Sequence, residues 1–261
     1  MLPDLLLLEL AAVVVLLFTS EASFAWGRRN AGAVEASQRA QLAAMQAATL
    51  GLLGLLLAFG SSMAEARFSG RRQLILDEAN AIGTAYLRSK WLPEPHATEL
   101  ASLFREYTRA RIELYEAGAD LALDARANER AAALQRELWA HAVVVMRDDP
   151  HSVAAGRFVE ALNQVIDLES ARWISARAHV PLAIPLLVFA VALVAIGITA
   201  YLCGLDRRRS MLSLTIVPLL LGFAYTAMLD LDSPRVGVMR AGQGVMLRLE
   251  RSLLDDAARR E

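Results

Sequence analysis

The chain has one cysteine and one lysine among its 261 residues. A lone Cys203 excludes an intrachain disulfide and a cysteine metal cluster. It lies in an apolar run, where an inert buried thiol is expected. Because Lys90 is the only lysine, arginine carries almost all the positive charge, and the formal net charge is −1. No global basic field therefore points to nucleic acid. There is no Gly-rich phosphate loop, no HExxH and no Gly-x-Ser-x-Gly. Nothing sets a nucleophile beside a base, so the sequence does not read as an enzyme, and no cofactor is implied. Strand-like alternation and internal repeats are also missing, which leaves an all-α chain.

What is present is sorted. Hydrophobic residues make up 56% and charged residues 21%, at a mean hydropathy of +0.36. The apolar ones cluster at both ends, and the charged, helix-patterned ones fill the middle. A bilayer span needs about 20 apolar residues. Four stretches satisfy this, over about 5–26, 45–64, 182–204 and 211–231. The expected fold is a polytopic membrane protein, two transmembrane hairpins (1–64 and 181–231) flanking an antiparallel helical domain in water (65–180). An amphipathic tail follows at 232–261. The lipid bilayer of the cell's inner (plasma) membrane is the expected location. Before the first apolar run, Met1-Leu2-Pro3-Asp4 carries no Lys or Arg, so an uncleaved span is expected rather than a signal peptide. Glu9 interrupts that span early. Phe24, Trp26, Arg28 and Arg29 have the character of an interfacial anchor.

In the second span Gly51, Gly54, Ala58 and Ser61 recur at three- and four-residue spacing on one helix face. Two readings fit: close approach of another helix, or the lining of a pore around an oligomer axis, with Phe59 beside it. In the middle domain Leu74, Ile75, Ile82 and Tyr86 mark a helix that Pro93 and Pro95 stop. Thr98 is the expected N-cap of the next helix. Its stripe is Leu100, Leu103, Phe104, Tyr107, Arg111 and Leu114, and Gly118 closes it. A further helix runs from about 121 to 146, with Leu134, Leu138 and Val145 as its apolar stripe. Asp149 then reads as the N-cap, and Pro150 as the first residue, of a helix reaching His179. That helix turns Phe158, Leu162, Val165, Ile166 and Trp173 inward.

Arg207-Arg208-Arg209 in the last tight hairpin and Arg28-Arg29 lie on one face of the membrane. The positive-inside rule would make that face cytoplasmic. Arg67, Arg71, Arg72, Arg172, Arg177, Arg235, Arg240 and Arg248 argue for the other face, so charge leaves the orientation open.

Two polar clusters stand out. Glu78, Asn80 and Thr84 lie on the helix continuing from the second span; Asn163 and Asp167 lie on the helix leading to the third. Antiparallel packing would bring them to similar height. They read either as an interhelical hydrogen-bond network or as a ligand or ion site at the mouth of a pathway. Asp230 and Asp232 offer hard-cation ligands, although a helix end before Pro234 explains them as well. The four histidines, His96, His141, His151 and His179, show no i, i+4 pair, so spacing gives no shared metal site.

These segments also carry a family resemblance. LLLAFGSSMAEARFSGRR (55–72), DEANAIGTAYLR (77–88), EALNQVIDLESAR (160–172) and LDLDSPRVGVMR (229–240) together resemble the bacterial bestrophin-like family. The resemblance implies four spans, a large cytosolic helical region between the second and third, cytosolic termini, a homo-pentamer, and an anion pore lined by the second span. Carried over, Gly51, Gly54, Ala58, Phe59 and Ser62 become the pore-face candidates. The aspartates after the fourth span become a weaker echo of a calcium-responsive acidic segment. This chain departs from the pattern in having only Phe59 where bestrophins place several aromatics, and in the Arg triplet. The alternative is a membrane-anchored sensing or scaffolding module that acts through a partner protein.

Overall fold

A computed structural model describes residues 2–118, 120–233 and 242–259. The side chains of residues 2–6, 8, 9 and 121 are outside that description, as are Pro234, Arg235 and Arg240. The expectations placed on Glu9 and on the end of the LDLDSPRVGVMR segment therefore lie outside the described residues.

Among the described residues every regular element is helical: α1 (Leu2–Arg29), α2 (Ala36–Ser89), α3 (His96–Glu116), α4 (Leu121–Asp148), α5 (Val153–Arg177), α6 (Ala183–Leu205), a π-helical turn (Leu212–Ile216), α7 (Val217–Asp232) and α8 (Gly244–Ala258). Four stretches are long and apolar enough to cross a bilayer: Leu10–Arg29, part of the 54-residue α2, Ala183–Leu205 and Leu212–Asp232. The chain divides into two compact units, residues 1–67 with 179–239, and residues 68–178 with 240–261.

In the apolar unit α1 packs along α6 and α7. The approach of α1 to α6 is set by two glycines that spacing did not single out. A Cβ on Gly27 would lie 2.2 Å from the Tyr201 carbonyl oxygen, and one on Gly204 would lie 2.3 Å from that of Phe24. Only glycine permits backbones this close. The π-helical turn has a local cause: Pro218 has no N–H to offer the carbonyl of Leu214, four residues back. Ser20 Oγ, from α1, donates to that carbonyl at 2.9 Å instead. The connector is pinned by polar pairs, Arg209 to Glu21 at 2.8 Å and Arg39 to Asp206 at 3.1 Å.

The second unit is a helical domain with one core. Ile82, Leu100, Phe104, Tyr107, Leu138, Phe158, Leu162 and Val165 are fully buried. The stripes expected on α3 and α4 are the faces that are buried. The expected amphipathic tail, 232–261, contains α8, which groups with this unit. Met246 is buried in its core, and Asp256 accepts from Tyr86 Oη at 2.5 Å and pairs with Lys90 at 2.7 Å.

Several boundaries differ from expectation. α3 is capped by the Glu94 carboxylate, which accepts from Thr98 N–H at 3.2 Å, rather than by the Thr98 side chain. α5 starts at Val153, with Ser152 accepting from Ala155 N–H. Asp149 is left to bond His151 N–H in a turn. A hydroxyl nearer the first turn wins over the Asp-Pro signal. Trp173 is exposed rather than inward, and Arg177 stacks over its ring at 3.7 Å.

Candidate functional site

The second span presents two faces. Leu53, Gly60 and Ala64 are buried, and a Cβ on Gly60 would meet Met228 Sδ at 2.5 Å. Gly51, Gly54, Ala58 and Ser62 fall within about 80° of helix circumference on the opposite side, and all are exposed. Nothing lies within 4 Å of a Cβ built on Gly51 or Gly54. Phe59 borders this face and is 62% exposed. Only 6% of the apolar window of α2 is buried, against 28% for the span in α6. The small residues therefore do not mediate packing inside one chain. That role falls to Gly27, Gly204 and Gly60.

In the helical unit, Glu78 is the centre of a buried charge network. Its Oε1 stands 2.7 Å from Arg111 Nε, and its Oε2 accepts from Arg172 Nη1. Arg111 also reaches Glu169 at 3.4 Å. Glu78 is 0% and Arg111 3% exposed. Two carboxylates face two guanidiniums, so the charges balance, as buried ions require. Burial opposes the Arg111 charge, but Glu78, Tyr107 and Glu169 outweigh it and hold the guanidinium above its ordinary range. Tyr107 is pushed upward, mainly by burial, and its hydroxyl has no hydrogen-bond partner.

The other members of the expected polar clusters are not gathered around Glu78. Asn80, Thr84, Asn163 and Asp167 are all exposed. The partners of Glu78 are arginines to which the sequence gives other places: Arg111 in the α3 stripe, Arg172 among the membrane-flanking charges. An arginine on an apolar stripe is itself a signal, because it enters a core only with a carboxylate to meet it. Beside the network, a cleft of about 430 Å³ is lined by Asn128, Gln135, Glu169, Ser170, Trp173 and Ile174.

At the end of α7, Asp230 is buried. Asp232 Oδ2 accepts from Val180 N–H at 2.9 Å and lies 3.6 Å from His179 Nδ1. Asp230 and Asp232 lie two residues apart in the last turn of α7. Asp232 ties the start of the third span to the end of the fourth. Of the histidines, His96 and His141 meet, at 3.0 Å between their Nδ1 atoms.

Comparison with known proteins agrees with this architecture. The family model of the bestrophin-like domain matches residues 13–244. No curated protein matches the chain. Among solved structures, a bacterial bestrophin homologue from Klebsiella pneumoniae is 14% identical, covering 94% of this chain and 97% of its own, at a TM-score of 0.67. Two point variants of that homologue match similarly, at 15% and 14% identity and TM-scores of 0.65 and 0.68, covering 95% and 94% of this chain and 98% and 97% of their own. The four apolar helices, the helical unit inserted between them and the match over residues 13–244 together make this chain a member of the bestrophin-like family.

Proposed function

We propose that the protein is a homo-oligomeric anion channel whose pore is lined by the second span, with Gly51, Gly54, Ala58 and Ser62 facing the axis and Phe59 narrowing it. The observation that carries this reading is the open small-residue face of α2. Glycine and alanine add almost no side chain there, so this face leaves open space along the helix for a water-filled axis between copies, to which Ser62 adds a hydroxyl. A ring of Phe59 side chains would gate such an axis by dewetting. A pentamer is the arrangement the family resemblance implies. Asn80 and Thr84, exposed four residues apart on α2, supply polar lining outside the membrane; Asn163 and Asp167 on α5 add exposed polar groups to the same domain. Nothing in this reading requires a catalytic centre.

For orientation we favour the helical unit and both termini in the cytosol, across an inner membrane crossed four times. The preference rests on the family resemblance, since the arginines flanking the spans on the two faces give no clear winner. The reading is tested by the detergent-solubilised mass and by current in planar bilayers. An oligomer carrying chloride current supports it; a folded monomer or a silent oligomer rejects it.

The second reading, a sensing module acting through a partner protein, rests on the cleft beside Glu169. Gln135 Nε2 is buried near it without a hydrogen-bond partner. A monomer or dimer that co-purifies with a stoichiometric partner would favour it.

A further inference from the structure

His96 stands at the start of α3 and His141 on α4, 45 residues apart in sequence. Their rings are edge-to-face, with centroids 5.3 Å apart. Glu99, one turn beyond His96, brings a carboxylate oxygen to 3.7 Å from His141 Nδ1. One ligand atom from each of the three residues lies within 4.8 Å of the other two. Both histidines are half-buried and Glu99 is exposed, so the group is held in place yet open to solvent.

We propose that His96, Glu99 and His141 form a zinc site. Tetrahedral zinc with bonds of about 2.0–2.1 Å separates its ligand atoms by about 3.3–3.4 Å. The nitrogen pair at 3.0 Å and the nitrogen–oxygen pair at 3.7 Å bracket that spacing. Small side-chain rotations would bring the three ligand atoms, all within 4.8 Å of one another, to that spacing. Two imidazoles and one carboxylate suit a borderline cation better than calcium or magnesium, which take oxygen ligands. Water would fill the fourth position. The ion would clamp the first turn of α3 to α4, a contact within the helical unit. The i, i+3 spacing of His96 and Glu99 is visible in the sequence, but the third ligand is supplied only by the fold.

The test uses full-length protein in detergent, purified without a polyhistidine tag. Zinc is titrated by calorimetry, and cobalt is used as a spectroscopic probe. The expected result is one ion per chain, a cobalt spectrum of tetrahedral type, and a rise of several degrees in melting temperature in saturating zinc. His96→Gln and His141→Gln should each remove binding. Glu99→Gln should weaken it by at least about tenfold, the loss that even outer-shell partners of a metal produce. The double variant His151→Gln/His179→Gln should bind as the parent does. Circular dichroism verifies folding of each variant. If a histidine variant does not fold, X-ray absorption of the zinc-loaded double variant decides, with imidazole nitrogens at about 2.0–2.1 Å expected. Absence of binding by the parent, binding unchanged by His141→Gln, or a zinc spectrum without imidazole would each overturn the assignment and leave the pair as a hydrogen bond between histidines.

Discussion

Arg111 Nε stands 2.7 Å from Glu78 Oε1, and neither side chain is more than 3% exposed. The contact joins α3 to the helix that carries the second span, and Arg172 brings in α5 on the other carboxylate oxygen. A single buried carboxylate thus fixes three helices of the domain against one another.

Glu78→Gln should therefore be among the most damaging substitutions in the domain. It leaves two guanidiniums without their shared countercharge, a loss of about 3–5 kcal/mol for a broken buried pair. Denaturant unfolding measures this. The double change Glu78→Leu/Arg111→Met should be less destabilising than Glu78→Gln, because it removes charge on both sides. Equal or greater loss in the double variant would show that the network is worth more than its desolvation.

Tyr107→Phe should hold or raise stability by about 1 kcal/mol, since the hydroxyl is buried without a partner. The same hydroxyl sets a pH dependence. Its folded-state pKa lies above the unfolded value of about 10, so the folded state retains a proton that the unfolded state releases. Its contribution is complete below pH of about 10 and declines as pH rises beyond it. Alkaline unfolding curves of the parent and Tyr107→Phe should diverge above that pH. Parallel curves would remove Tyr107 from the account.

Gly204→Ala should prevent correct packing of α1 on α6, because the new methyl would overlap the Phe24 carbonyl. Gly51→Ala should leave the protomer's stability within about 0.5 kcal/mol, the range for open surface positions. Thermal stability in one detergent compares them directly. A large loss at Gly51 would mean that its face is packed after all.

Ser20→Ala should cost about 1–3 kcal/mol, because the Leu214 carbonyl loses the donor that replaces the missing Pro218 N–H. Ser20→Thr should retain much of the contact. A neutral Ser20→Ala would show that the π-helical turn satisfies itself.

The four spans and the core stripes of α3 and α4 were legible because both depend on local composition and a 3.6-residue period. The glycine contacts were not. Gly27 and Gly204 look ordinary in sequence, and only the crossing of α1 over α6 makes them indispensable. Spacing marks a Gly51, Gly54, Ala58 and Ser61 face and the resemblance adds Ser62, but neither tells whether that face meets another helix of the same chain. The Glu78 cluster was half legible. The sequence pattern singles out the carboxylate, while its arginine partners come from helices whose pairing no spacing encodes. Helix starts were misplaced where two capping groups compete within three residues, as at Asp149 and Ser152.

The most direct test of the pore assignment uses the single native cysteine. In a Cys203→Ala background, Gly54→Cys, Ala58→Cys and, as a control, Leu53→Cys are reconstituted in bilayers and exposed to a water-soluble thiol reagent. Gly54 and Ala58 lie on the open face and Leu53 on the packed one. The reagent should suppress the chloride current in Gly54→Cys and Ala58→Cys and leave it unchanged in Leu53→Cys. No current, or suppression at Leu53→Cys with none at Gly54→Cys, would contradict it.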